Sequence, residues 1–217
     1  MPRAARLVVP GYPHHVTHRG AGQLSIFGGD RERRTYLEFM KEHCQHQGVK
    51  ALAWCLMSNH VHLVLVPANE RSLALAVGGA HRRYALMKNS DRTGGGEVFE
   101  GRFHSCVLDE KHLPAAVRYV EMNPVRAGMA ERAEDYAWSS ARFHLGMIGS
   151  DALVSDGGLM GLVKNWRDFL AEEDAEREEM VRRATVTGKP AGSREFVARV
   201  ASWGHKRNRG RTDREPR

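Results

Sequence analysis

Cysteine is scarce and unpatterned in this chain: 217 residues hold three, Cys44, Cys55 and Cys106, with no CxxC pair. An odd, scattered set argues against a disulfide framework or a structural zinc site and for a reducing compartment. Long apolar runs are missing too. No stretch approaches the ~20 apolar residues of a membrane span, and no signal-peptide core follows Met1-Pro2-Arg3-Ala4-Ala5-Arg6. No internal repeat is visible. The expectation is a soluble, cytoplasmic protein with no membrane partner. Charge is not balanced: 33 Lys and Arg against 26 Asp and Glu give a net +7, with a pI near 9.6. An excess of that size favours a polyanion, nucleic acid before membrane surface. The length allows one good core with a smaller appended unit.

The most informative stretch is Met57-Ser58-Asn59-His60-Val61-His62-Leu63-Val64-Leu65-Val66. It reads as a tight turn at Ser58-Asn59 entering a strand. Side chains alternate along a strand, so His60 and His62 share a face and Val61 takes the other. Two imidazoles side by side on a rigid strand are half of a metal site; two ordinary histidines near a strand end are the competing reading.

Tyr12 to Arg19 (YPHHVTHR) predicts a first strand, and His14, His15 or His18 could face the same pocket as His60 and His62. A glycine-rich loop follows over 20–29. Asp30 is expected to cap a helix to about Gln47, with Tyr36, Phe39, Met40 and Cys44 as its core stripe and Gly48 as its stop. Val49–Met57 and the histidine strand should pair as an antiparallel hairpin ended by Pro67. Leu73, Val77, Ala80, Tyr84 and Met87 mark a second helix. His81, Arg82 and Arg83 lie off that stripe, as a solvated basic face or, with the basic pI, as phosphate contacts. Residues 89–97 form a loop. Val98–Leu108 reads as another strand, with Gly101 marking a bulge or a close approach and Arg102 beside it a phosphate candidate.

A third helix is expected from about Leu113 to Asn123, limited by Pro114 and Pro124. Leu113, Ala116, Val117 and Val120 form its apolar face. Ala115, Tyr119 and Asn123, at i, i+4 and i+8, form a separate stripe about a quarter turn away. A tyrosine at the rim of a core is the ordinary reading of that pattern. Beyond Arg126, Ser139 or Ser140 should cap a short helix, 147–158 reads as a linker, and Leu159 to about Arg183 as helix. A last short helix after Ser193 carries Phe196, Val197, Val200 and Trp203. Lys206–Arg217 is basic, lacks an apolar anchor, and is expected to be a disordered electrostatic arm.

Taken together, these pieces resemble the single-tyrosine HUH transposases, and within them the REP-associated tyrosine transposases. The matching residues are His15-Val16-Thr17 with Arg19-Gly20, Cys55 through Leu63, Gly101-Arg102-Phe103, Arg118 through Gly128 (RYVEMNPVRAG), and Trp138-Ser139-Ser140. They cover residues 11 to about 145 well and the rest loosely. Ser58 stands where that family usually has proline, and Phe99-Glu100 where an aromatic followed by glutamine is common; neither removes a group the reaction needs. The resemblance implies an α+β fold, an antiparallel central sheet with helices on one face and the histidines on a central strand. The expected organisation is a transposase domain over 1–145, a helical extension over 146–205 and the basic tail over 206–217.

The resemblance also implies roles. Tyr119 is the expected nucleophile, His60 and His62 the metal ligands, and Asn123 the third ligand or an orienter. Mixed imidazole and amide-oxygen ligation suits Mg²⁺ or Mn²⁺, with no small-molecule cofactor. The implied activity is cleavage and strand transfer of single-stranded DNA beside a hairpin, through a covalent phosphotyrosine, by a monomer associated with the nucleoid. Related transposases form dimers in which the tyrosine helix acts in trans. Backbone contacts are expected from Arg102, then Arg19, then Arg82, Arg83 and Arg126. The rival readings are a hairpin-binding relative that does not cleave and a zinc hydrolase on His60 and His62; the latter gives Tyr119 no role.

Overall fold

The computed structural model describes residues 6–90, 96–154, 159, 161, 163–172 and 174–212. In chain order it contains strand β1 (His14–Arg19), helix α1 (Asp30–His46), strands β2 (Val49–Leu56) and β3 (His60–Pro67), helix α2 (Ser72–Ser90) and strand β4 (His104–Val107). Then follow helices α3 (Leu113–Glu121), α4 (Asn123–Arg126), α5 (Ala141–His144), α6 (Trp166–Ala171), α7 (Ala175–Thr187) and α8 (Arg194–Thr212). The strands form one antiparallel sheet in the order β2-β3-β1-β4, which puts the histidine strand in the middle. The fold is α+β, as expected.

Alternation along β1 and β3 divides the molecule into two cores. Val16, Val61, Leu63 and Leu65 pack on one face against Tyr36, Leu37, Met40 and Cys44 of α1 and Leu73, Val77, Ala80 and Tyr84 of α2. Val64, Cys55 and Cys106 pack on the other against Ala116, Val117 and Val120 of α3, Phe169 and Leu170 of α6, and Val181 and Ala184 of α7. Helices therefore cover both faces rather than one. A sheet sandwiched in this way explains why β2 and β3 read as nearly continuous apolar runs. A register shift between Ala51 and Ala53 lets β2 serve both cores: Ala51 lies in the first and Ala53 in the second.

Several boundaries differ from expectation for local reasons. Asp30 is the first helical residue and not the cap: Gly29 holds the cap position, and Asp30 sits 3.5 Å from Arg33. Its charge still favours the positive helix start. Gly48, at φ +61°, ends α1 as anticipated. The strand expected over 98–108 shrinks to β4, because Gly101 turns at φ +60°. Met122 interrupts the third helix, and Pro124 opens α4, where a missing N–H costs nothing. The helix expected from Leu159 to Arg183 is two, α6 and α7, each capped by a side chain, Asn165 and Asp174. Part of the expected linker is core, since Leu153 and Val154 are buried with the first cluster. α8 continues through Thr212, so much of the basic tail is helical; residues 213–217 lie outside the described residues.

The C-terminal helices are latched to the sheet through one buried cation. The Arg118 guanidinium of α3 lies 3.2 Å from Glu178 and 3.4 Å from Asp174, and donates to the Phe169 carbonyl at 3.4 Å. A buried cation stripped of such partners is costly, and so is removing it from beneath them. Arg118→Ala is expected to cost about 3 kcal/mol in urea unfolding, at the low end for a buried pair because its carboxylates can still reach water.

Candidate active site

Register decides which histidines meet. On β1 and β3, Arg19 stands opposite His60, Thr17 opposite His62 and His15 opposite Val64, so His15, Arg19, His60 and His62 share the face under α3 and α7. His15 Nε2 lies 3.0 Å from His62 Nδ1, and the His60 and His62 ring centroids are 4.8 Å apart. Tyr119, projecting from α3, meets both inner imidazoles edge-on, its ring centroid 5.6 Å from that of His62 and 5.5 Å from that of His15. The predicted nucleophile and the predicted ligand strand thus come together within one chain.

His14 and His18 do not join this group; they lie on the opposite face. His14 is structural: it sits 2.8 Å from the Tyr12 carbonyl and accepts from the Val9 amide at 3.2 Å. His18 Nδ1 is 2.8 Å from His81 Nδ1, and His81 Nε2 is 2.8 Å from the Tyr36 hydroxyl. Buried and stacked on Phe99, His81 is a core group and not the surface phosphate contact expected of it.

The site imidazoles are neutral. Burial lowers His15 to about 3 and His60 to about 4, with Arg19 adding to the effect on His60. His62 falls well below the ordinary value, through burial first and then its histidine neighbours. Neutral imidazole is the form that ligates metal. The His62 Nε2 atom is buried without a hydrogen-bond partner among the described residues. A buried imidazole nitrogen left without a partner there suits a cation, so the donor chemistry of His60 and His62 fits a divalent ion. Among the described residues no cluster of three His, Cys, Asp or Glu is poised as a closed cage; an ion there would need an amide oxygen, water or phosphate to complete its shell.

Asn123 donates to the Tyr119 carbonyl at 2.8 Å and to the Val120 carbonyl at 3.5 Å. Its amide nitrogen thus braces the end of the tyrosine helix, and its oxygen is the atom left for a ligand. Burial raises Tyr119, with Arg126 and Arg182 working against the rise. Arg126 lies 4.5 Å above the Tyr119 ring, donates to the Tyr119 carbonyl and pairs with Glu178 at 2.8 Å.

A family profile described as IS200-like transposase matches residues 12–123, a little over half of the chain. The chain belongs to the IS200-like transposase family. Among curated relatives it is similar to a protein of Haemophilus influenzae named as a REP-associated tyrosine transposase. The two are 25% identical over 115 residues, covering 48% of this chain and 64% of that one, so the match spans under two thirds of the relative's length. A solved structure of a REP-associated tyrosine transposase bound to a REP hairpin is similar in fold, with a TM-score of 0.58 at 13% identity over 72% of this chain and 92% of that one. Both agree with the resemblance carried by the motifs.

The family match includes His15, His60, His62, Tyr119 and Asn123 and ends before Arg126. The arginines separate into two groups. Arg19 and Arg126 belong to the tyrosine face. Arg82 and Arg102 line a cavity of about 470 Å³ on the α2 side, together with His18, Phe99 and Phe103. Arg83 stacks over Phe39 at 4.1 Å and pairs with Glu42 at 2.5 Å. Glu178 and Thr185 of α7 carried no signal as site residues in the sequence, although Val181 and Thr185 share one inward helical stripe.

The buried histidines also set a pH limit. An unfolded imidazole takes up a proton near its ordinary value of about 6.5, whereas burial holds His14 near 4 and His15 near 3 in the fold. Their contribution is complete above pH 6.5 and is lost as the pH falls, because only the unfolded chain then gains protons. Each should remove about 1.4 kcal/mol per pH unit between pH 6 and 4. Urea unfolding at pH 7.5, 6 and 5 is expected to show a progressive drop over that range.

Proposed function

We propose that this protein is a metal-dependent single-stranded DNA endonuclease and strand transferase that cleaves beside hairpin DNA through a covalent 5′-phosphotyrosine. One observation carries the reading: Tyr119 of α3 packs against His62, whose buried Nε2 has no hydrogen-bond partner among the described residues.

The Tyr119 oxygen attacks phosphorus in line with the 3′ oxygen. The new O–P bond forms as the P–O3′ bond breaks, leaving a 3′-hydroxyl and a phosphotyrosine. The phenol, raised by burial, gives up its proton to solvent as the bond forms, and the Arg126 charge over its ring favours the anion. The departing O3′ takes a proton from solvent to become the hydroxyl, so no net proton is gained or lost. Because phenolate leaves far better than an alkoxide, a DNA 3′-hydroxyl can reverse the step, conserving the bond for strand transfer. Mg²⁺ or Mn²⁺ held by His60, His62 and the Asn123 oxygen would neutralise and orient the phosphate. Arg19, beside His60, suits a phosphate on this face. Arg82 and Arg102 suit the backbone of a stem or its unpaired flank, with Phe99 and Phe103 alongside for stacking. Hairpin DNA as partner is supported by the fold similarity to a REP-associated tyrosine transposase that was solved bound to a REP hairpin.

The test uses labelled single-stranded hairpin DNA with Mg²⁺ or Mn²⁺ and looks for an adduct that survives denaturation. Wild type is expected to form it and Tyr119→Phe to form none; tight binding without an adduct on any cognate hairpin favours the non-cleaving alternative. His60→Ala should lose metal-stimulated cleavage at least 100-fold while hairpin affinity in a gel-shift assay stays within about threefold. Equal loss of both would make the histidines structural.

A further inference from the structure

A hydrogen-bonded chain runs from the histidine strand to a helix outside the family match. His62 Nδ1 is 3.0 Å from His15 Nε2, His15 Nδ1 is 2.7 Å from the Thr185 hydroxyl, and that hydroxyl donates to the Val181 carbonyl at 2.7 Å. The His15 and His62 rings are within 2° of parallel. All three side chains are buried.

The far end sets the direction of every proton. A carbonyl only accepts, so the Thr185 hydrogen points to Val181; its oxygen then accepts from His15 Nδ1–H and, on its other lone pair, from the Cys106 thiol at 3.1 Å. A neutral imidazole carries one N–H, so His15 Nε2 is an acceptor. The proton between the rings therefore sits on His62 Nδ1, and His62 Nε2 holds a bare lone pair. That is the buried nitrogen without a partner. The reverse polarity would put a buried N–H there with no acceptor among the described residues and deprive the Thr185 hydroxyl of its bond to Val181. His60 follows the same pattern: its Nδ1 is 2.7 Å from the Asn59 side-chain oxygen, which leaves Nε2 for a ligand.

We infer that His15 and Thr185 are positioning residues which lock His62 in the Nδ1–H tautomer and present its Nε2 to a divalent cation, so that α7 completes a site otherwise built by the sheet. This rests on the reading of His60 and His62 as metal ligands. It gives the C-terminal part a task, because Thr185 reaches His15 across 170 residues of sequence. Groups behind a ligating histidine commonly change metal affinity 10–100-fold when lost.

The experiment has two readouts besides activity, both on the full-length protein. In metal-free protein with ¹⁵N-labelled histidine, two-bond ¹⁵N–¹H correlation spectra are expected to show His62 and His15 protonated at Nδ1 alone. Mn²⁺ titration followed by electron paramagnetic resonance should give binding 10–100-fold weaker for Thr185→Val, which keeps the shape and removes the hydroxyl, with Thr185→Ser near wild type. His62 protonated at Nε2, or Thr185→Val binding Mn²⁺ like wild type, would overturn the inference. The tautomer measurement on wild type stands even if Thr185→Val fails to fold. The Nδ1–H tautomer with hydroxyl-dependent Mn²⁺ binding, but no adduct on hairpin DNA, supports the relay while sinking the nuclease reading.

Discussion

The antiparallel pairing of β1 with β3 is the constraint on which the rest of the structure depends. Two strands carrying five histidines lie side by side, and their common register sends His15, His60 and His62 to one face and His14 and His18 to the other. A slip of β3 by one residue would turn His60 and His62 to the face of His14 and His18 and put Val61, Leu63 and Leu65 where Tyr119 now packs. The apolar residues between the histidines therefore do more than fill a core. By burying in α1 and α2, they hold the imidazoles aimed at α3.

Both faces of the sheet are covered, and the two coverings differ in kind. α1 and α2 bring an apolar core with the Tyr36–His81–His18 chain threaded through it. The other face brings the tyrosine helix and α7, held together by Arg118 and Arg126, both of which pair with Glu178. One carboxylate thus joins the buried latch of the C-terminal helices to the arginine above Tyr119. Tyr119, its cationic neighbour and the groups behind His62 become parts of one packed unit, and packing of that kind is what lets the proposed site keep its geometry before substrate arrives.

Burial around the histidines explains both the chemistry and its cost. Removing imidazoles from water keeps them neutral and fit to ligate, at the expense of stability in acid. The same burial keeps the phenol of Tyr119 protonated in the resting protein and makes a nearby positive charge worth more than it would be in solvent.

Period-two alternation placed His60 and His62 on one face, and i, i+4 spacing raised Tyr119 from its helix, before any fold was known. These are local properties of backbone geometry, as are the hairpin, the core stripes of α1 and α2 and the stop at Gly48. Motif order was also enough to suggest the family that the profile match established. Local rules could not rank His15 above His14 and His18, because that depends on which strand lies alongside and in what register. They misplaced His81, whose partners come from two other elements, and joined α6 to α7, whose break is set by extended backbone at Glu172 and the cap at Asp174. They gave no hint that Thr185 closes on His15, since only packing brings together residues so far apart in sequence. The sequence by itself determined which residues share a face; tertiary structure decided which faces meet, because burial and hydrogen-bond satisfaction are settled between elements and not within them.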